Sequence, residues 1–342
     1  MRHKERLING YCTPINKKLE DMCEVNNTIF SEFFLLGFHE FHQLRVLLFL
    51  IFLAIYLLIV TENLVIISLV SLCHHLQVPM YMFLRNLAMA DLLLTSNIIP
   101  KLLQVTWLGG SAISNLSCFI QFYFHCVATY TQSLILTAMA VDRFLAVCHP
   151  LRYMSFMNQT FCFHLAFWPW TIPLIAIISE TVLVSQLQFC ASKILDHFFC
   201  DFVPIWQIAS SDAEQVKFED FFLTVLLAFA PFILIFISYI WIFVAIIKIR
   251  SIDGRQKAFS TSSSHLASVC TYYVPIIAIY MFPVGENTAY ENKMKALLYT
   301  SLTPLMNPVL YSMRNQEIKK ATQLVFYKRS IKIRRSSIFF LS

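Results

Sequence analysis

Apolar blocks long enough to cross a bilayer recur seven times in this chain, near 45 to 71, 79 to 104, 114 to 147, 157 to 184, 214 to 248, 256 to 284 and 290 to 313. A hydrocarbon core of about 30 Å takes roughly 20 helical residues. Backbone groups inside it must bond within their own segment, so each block reads as a membrane helix. With 58% hydrophobic and only 13% charged residues, the chain lacks the makings of a soluble surface. Prolines within the blocks, such as Pro173, Pro231, Pro275 and Pro304, are tolerated as kinks in membrane helices. The expected fold is an all-α membrane protein, a seven-transmembrane helix bundle over 45 to 313. It is flanked by an extracellular N-terminal segment, 1 to 44, and a cytoplasmic tail, 314 to 342.

Orientation follows from the basic residues. Between Met22 and Arg45 stand Glu24, Glu32 and Glu40 but no Lys or Arg, whereas Arg143, Arg152, Lys248, Arg250, Arg255 and the run from Lys319 to Arg335 lie in alternate loops and the tail. Positive charge stays on the cytoplasmic side, which puts the N-terminus outside. No apolar block before Arg45 suits a cleavable signal peptide, so the first helix acts as the targeting signal. The first 21 residues read as an appendage, with Met22 as a usable start. Asn26-Asn27-Thr28 is a glycosylation sequon on the expected outer side. The net charge of +6 is placed to meet lipid headgroups rather than nucleic acid.

Several polar residues interrupt the apolar blocks: Glu62 and Asn63, Asp91, Gln132, and Asn307 before Pro308. Such groups are expensive in hydrocarbon and cluster or pair. Asn63, Asp91, Gln132 and Asn307 are expected to form one intramembrane cluster, in which the Asp91 carboxylate is suited to hold a cation or exchange a proton. The ten cysteines contain no CxxC pair, and no HExxH, GxSxG or nucleotide loop occurs. No metal, cofactor or enzyme chemistry is indicated. Cys118 falls at the outer end of its block, and a disulfide to the loop carrying Cys190 and Cys200 is expected, with the partner left open.

At the inner end of the third block stands MAVDRFLAVCHPLRY, residues 139 to 153. It resembles the helix-three signature of mammalian odorant receptors, within the rhodopsin-like G-protein-coupled receptors. Glu32-Phe33-Phe34-Leu35-Leu36-Gly37-Phe38 resembles the family's motif before helix one, and Pro79-Met80-Tyr81-Met82-Phe83-Leu84 resembles the start of its helix two. His197-Phe198-Phe199-Cys200-Asp201, Ser238-Tyr239, Lys257-Ala258-Phe259-Ser260-Thr261 and Pro304 to Asn315 are similar to later family motifs, in order. The resemblance implies a receptor in the plasma membrane that binds a small volatile odorant and activates a stimulatory heterotrimeric G protein. It implies that Asp142 restrains Arg143 at rest, and that Tyr239, Lys257, His265 and Tyr311 take part in opening the cytoplasmic face. A short amphipathic helix is expected after helix seven.

Helical spacing below Cys118 then puts His125, Cys126, Thr129 and Tyr130 on a face turned into the bundle. Opposite it are expected Tyr273, Ile276, Ile277 and Tyr280, with Leu223, Thr224 and Leu227 as a third wall, together a ligand pocket. The chain departs from the family at four places. Phe144 stands where Tyr is usual, Gln132 where Glu is usual, Glu62 where Gly is usual, and Ser210 where a third loop cysteine is usual. The last departure implies a Cys118 to Cys200 disulfide and a free Cys190.

Overall fold

The computed structural model describes residues 32–189, 192–281 and 289–314. Seven long helical rods dominate it: α1 (Arg45–Leu72), α2 (Pro79–Leu108), α3 (Asn115–Cys148), α4 (Gln159–Ser185), α5 (Glu214–Lys248), α6 (Ile252–Met281) and α7 (residues 289–314). Local chemistry sets several ends. Pro79 takes the first turn of α2, where its missing N–H costs nothing, and Gly109 closes that helix in the left-handed region at φ 73°. Ser114 Oγ accepts from Ser117 N at 3.2 Å to start α3, and Asn158 Oδ1 accepts from Phe161 N at 2.9 Å to start α4.

The prolines divide into two groups. Pro100, Pro169, Pro173 and Pro275 lie inside continuous helix. Pro231 and Pro304 each follow a π-helical turn, Val225–Phe229 in α5 and Leu298–Leu302 in α7. A proline ring collides with the carbonyl four residues earlier, and here that carbonyl belongs to Leu227 or Thr300, within the widened turn.

Packing closes a ring. α1 touches α2, α2 touches α4, α4 touches α5, α5 touches α6, α6 touches α7, and α7 returns to α1. α3 runs through the middle against α2, α4, α5 and α6. The outward faces keep large apolar side chains exposed, among them Leu58, Ile175, Phe236 and Trp241, while Asn63, Asp91, Gln132 and Asp142 are buried. Polar inside and apolar outside is the pattern lipid requires. Five helices among the described residues are long and apolar enough to cross a membrane, α1 to α5. α6 and α7 fall short of the seven spans read from the sequence. The first half of α6 carries the polar run Ser260–Ser264, and α7 opens on Glu291, Lys293 and Lys295.

The all-helical expectation also needs correction at one end of the bundle. β1 (Glu32–Leu35) pairs antiparallel with β2 (Ser111–Ser114) and parallel with β3 (Ile194–Leu195). Phe33 and Leu35 point inward from β1 and are almost fully buried. Just beyond, Gly37 adopts φ 61°, and a Cβ there would fall 2.5 Å from Val105 Cγ1. These strands are too short to leave a periodic signal. The Cys118–Cys200 disulfide, with Cα atoms 5.4 Å apart, ties α3 to the loop that supplies β3. Asn26, Cys190 and the tail with its expected amphipathic helix lie outside the described residues.

Lys293 fastens this cap to α7. Its side chain is fully buried and Nζ donates to Gly37 O at 2.9 Å and Glu40 Oε1 at 2.8 Å, with Asp196 Oδ1 at 2.7 Å. One ammonium therefore holds the N-terminal segment, the loop before Cys200 and the start of α7. Lys293→Ala leaves two carboxylates and a carbonyl without their donor, a loss of about 1–3 kcal/mol. A lower melting temperature of purified protein in detergent is the expected result, with a smaller drop for Glu40→Gln because Asp196 still balances the ammonium.

Candidate functional site

Three clusters lie along α3, one at each end and one at mid-height. At mid-height Asp91 of α2 is fully buried, and Asn307 Nδ2 of α7 donates to its Oδ2 at 3.0 Å. Gln132 Nε2 of α3 donates to Asp91 Oδ1 at 2.8 Å. Asn63 Nδ2 of α1 donates to Ile59 O at 2.9 Å and Pro304 O at 3.1 Å. The expected cluster thus exists as two linked parts, with Asn63 binding α7 backbone rather than Asp91 itself. Gln132 is more than a neutral substitute for an acid here, since its amide supplies a donor to the carboxylate. Glu62 makes no hydrogen bond to Asp91, Gln132 or Asn307 among the described residues, and its buried Oε2 has no partner.

At the end of α3 that carries the DR pair, Asp142 is fully buried and Arg143 grips it through Nε, at 3.0 Å, and through a close Nη2 contact to Oδ2. Tyr153 Oη donates to the other oxygen, Asp142 Oδ1, at 2.7 Å. Tyr153 closes the sequence signature, but nothing in its spacing marks it as an anchor. Phe144 packs edge-on against His149, with ring centres 5.5 Å apart. His265 of α6 donates from Nε2 to Leu136 O at 3.1 Å and meets Tyr239 Oη of α5 through Nδ1 at 2.7 Å. The Tyr239 hydroxyl also lies 2.9 Å from Ser262 O, so its one proton serves either acceptor. Tyr311 is almost fully buried, with its hydroxyl beside Ser268. Asp142, Arg143, Tyr239, His265 and Tyr311 therefore gather at one end, while the Lys257 side chain lies outside the described set.

The opposite end gathers the expected pocket residues. Tyr130 Oη and Thr224 Oγ1 bond at 2.9 Å, joining α3 to α5. Tyr273 Oη of α6 donates to Ala228 O at 3.2 Å and meets Ser133 Oγ at 2.8 Å. Leu223 and Leu227 pack with Tyr130 and Cys126, and Ile276 and Ile277 pack with the main core. His125 Nε2 meets Tyr299 Oη of α7 at 3.2 Å and the ring edge of Phe199, centres 5.0 Å apart. Thr129 Oγ1 is spent on His125 O at 2.9 Å. Cys126 and Thr129 are half-buried on a helix packed by four others. The side chain of Tyr280 lies outside the described set.

A lid of loop residues covers this end. Phe198 and Phe199 are fully buried, and Phe38 stacks on Phe198 with centres 5.6 Å apart. His197 Nδ1 donates to Phe199 O at 3.2 Å, and burial lowers its pKa to about 3, so it is neutral. Asp201 caps the short helix Phe202–Gln207, and burial raises its carboxyl to about 6. Tyr272, Tyr299, Ser133 and the lid aromatics were not evident from spacing, because they enter from helices whose rotation the sequence leaves undetermined. A separate outward groove of about 960 Å3 between α2 and α4, lined by Met82, Arg85 and Trp170, lies away from these residues.

Comparison with known proteins is decisive. The olfactory receptor family profile matches residues 52–329. The chain belongs to the olfactory receptor family. It is 39% identical to human olfactory receptor 1M1 over 86% of this chain and 95% of that one. Rat olfactory receptor 1468 is 37% identical over 91% of this chain and 99% of its own length. The protein is accordingly a multi-pass membrane receptor rather than an enzyme. In this receptor, Asp91→Ala strips the acceptor from the Gln132 and Asn307 amides at about 1–3 kcal/mol each. Asp91→Asn keeps one acceptor oxygen and is expected to lower the melting temperature in detergent by less than Asp91→Ala.

Proposed function

We propose that this receptor binds a small volatile odorant inside the helix bundle and activates a stimulatory heterotrimeric G protein from the plasma membrane. In this reading all seven rods cross the bilayer. The strand cap and disulfide lie outside, and the Asp142 end lies in the cytosol. The observation that carries it is the placement of two clusters at opposite ends of α3, a lidded group of aromatic and hydroxyl side chains at one and a held arginine at the other. A ligand shifts the equilibrium only if it prefers one arrangement of the bundle. Contacts from α3, α5, α6 and α7 that converge at the lidded end give it that means.

His125, Cys126, Thr129, Tyr130, Leu223, Thr224, Leu227, Tyr273, Ile276, Ile277 and Tyr280 are assigned to the ligand. Asp142, Arg143, Tyr239, Lys257, His265 and Tyr311 are assigned to coupling. At rest Arg143 is bound by its neighbour, and release toward the G protein requires Asp142 to let go. Tyr153 joins them as a positioning residue, because its hydroxyl fixes the carboxylate that holds Arg143.

The test is cAMP production in heterologous cells challenged with a panel of volatiles. Arg143→Ala is expected to abolish the ligand response at normal surface expression, and an undiminished response would refute the coupling role. Tyr153→Phe removes one of the contacts holding Asp142 and is expected to raise basal cAMP without shifting ligand rank order.

A further inference from the structure

A groove of about 960 Å3 runs between α2 and α4. α3 stands behind both helices, and α2 and α4 touch each other only narrowly, so a furrow is left on the side away from α3. Met89, Phe163, Phe167 and Leu174 wall it and are exposed at the outer face of the bundle. Pro79 and Gln159, the first residues of α2 and α4, line one end of the groove. The link from α3 to α4 carries Tyr153, which bonds Asp142, so this is the Asp142 end of the bundle. Most polar groups along the groove are already bonded. Trp170 Nε1 donates to Asn86 Oδ1 at 3.1 Å, Asn86 Nδ2 to Met82 O at 2.8 Å, and Thr171 Oγ1 to Phe167 O at 3.1 Å. Arg85 is different. It is half-buried in the same wall, and among the described residues its guanidinium has neither an ion pair nor a hydrogen bond.

A guanidinium on a lipid-facing wall is costly unless it meets a countercharge. Arg85 lies roughly 9 Å along α2 from Pro79 at 1.5 Å per residue. From there its long stem can follow the apolar wall and deliver the charge to the headgroup layer. We propose that the groove holds one anionic phospholipid of the cytoplasmic leaflet, with its headgroup on Arg85 and an acyl chain along Met82, Phe163 and Trp170. This rests on the reading that the Asp142 end lies in the cytosol, where the leaflet is rich in anionic lipid. Charge and shape together select this occupant. A guanidinium takes phosphate or carboxylate through paired, charge-assisted bonds. The side-chain amides of Gln77 and Gln159 add donors at the same end of the groove. A neutral sterol fills the apolar length but leaves Arg85 without a partner. Free phosphate answers the charge but leaves the apolar length uncovered. Bound there, the lipid braces α2 against α4 beside the Asn86–Trp170 bond.

The test uses full-length receptor reconstituted in phosphatidylcholine bilayers, with quenching of tryptophan fluorescence by brominated acyl chains as the readout. Brominated phosphatidylserine, present as a minor component, is expected to quench more than brominated phosphatidylcholine at the same mole fraction. The excess is expected to vanish in Trp170→Phe. Arg85→Ala is expected to weaken the preference for phosphatidylserine by about tenfold, whereas Arg85→Lys keeps most of it. Equal quenching by the two lipids overturns the proposal, and that comparison needs no variant to fold. An excess that survives Arg85→Ala or Trp170→Phe puts the lipid elsewhere and overturns it as well. So does loss of the excess on adding cholesterol or inorganic phosphate in amounts equal to the phosphatidylserine. Phosphatidylserine occupies both leaflets of the reconstituted bilayer, so this readout does not depend on orientation. Antibody access to a C-terminal tag on intact cells tests orientation separately. Access from outside overturns the orientation reading and the leaflet named here with it, whereas a missing lipid preference with the tag inside overturns the groove assignment alone.

Discussion

A carboxylate with no charged partner sits at the centre of this molecule, and the bundle is arranged to satisfy it. Asp91 takes Gln132 from α3 and Asn307 from α7, while Asn63 fixes α1 to the backbone just before Asn307. Four helices are thereby set in height and rotation by amide donors rather than by apolar contact. That matters in lipid, where the surroundings are as apolar as any leucine and burial alone does not choose a register. The widened turn at Leu298–Leu302 ends two residues before Pro304, so the carbonyl that receives Asn63 belongs to the residue that disturbs the helix. The polar network and the proline break are parts of one joint.

From that joint α3 carries two consequences in opposite directions. Toward one end it presents Ser133, Tyr130, Cys126 and His125 to α5, α6 and α7; toward the other, Leu136 O and then Asp142. Leu136 is one turn below Gln132, and its carbonyl is the acceptor for His265, which in turn meets Tyr239. A movement of α6 at Tyr273 cannot leave His265 unaffected, since both belong to one helix and both bond across to α3 or its neighbours. The proximity supports a shared two-state element without requiring a wire of residues between the ends.

Much of this was legible in the sequence because lipid makes polar residues conspicuous. Asp91, Asn63, Gln132 and Asn307 stood out as interruptions of apolar runs, and the structure brings them together. Asp142 and Arg143 stood out for the same reason. The rule would also have marked Glu180, an acid in the fourth apolar block, which sequence motifs led past. What sequence did not disclose depends on rotation and on loops. Tyr299 and Tyr272 meet α3 only because of how α7 and α6 are turned, and Lys293 looks like an ordinary loop lysine until the chain brings Gly37 and Asp196 around it. The strand cap was hidden because runs of two to four residues carry no period.

The acids at the lidded end separate into two kinds, and the separation has a physical logic. Glu40 and Asp196 lie on the rim, share Lys293, and turn their charge into a clasp between chain segments. Glu180 and Asp220 bond to each other, carboxyl to carboxyl, and Asp201 accepts from Phe202 N at 2.9 Å. Two carboxyls bond only through a proton on one of them, so the deeper pair is held without a basic partner. The disulfide reinforces the same division: it fixes the lid next to Asp201, so the position of that carboxyl does not depend on the clasp at the rim.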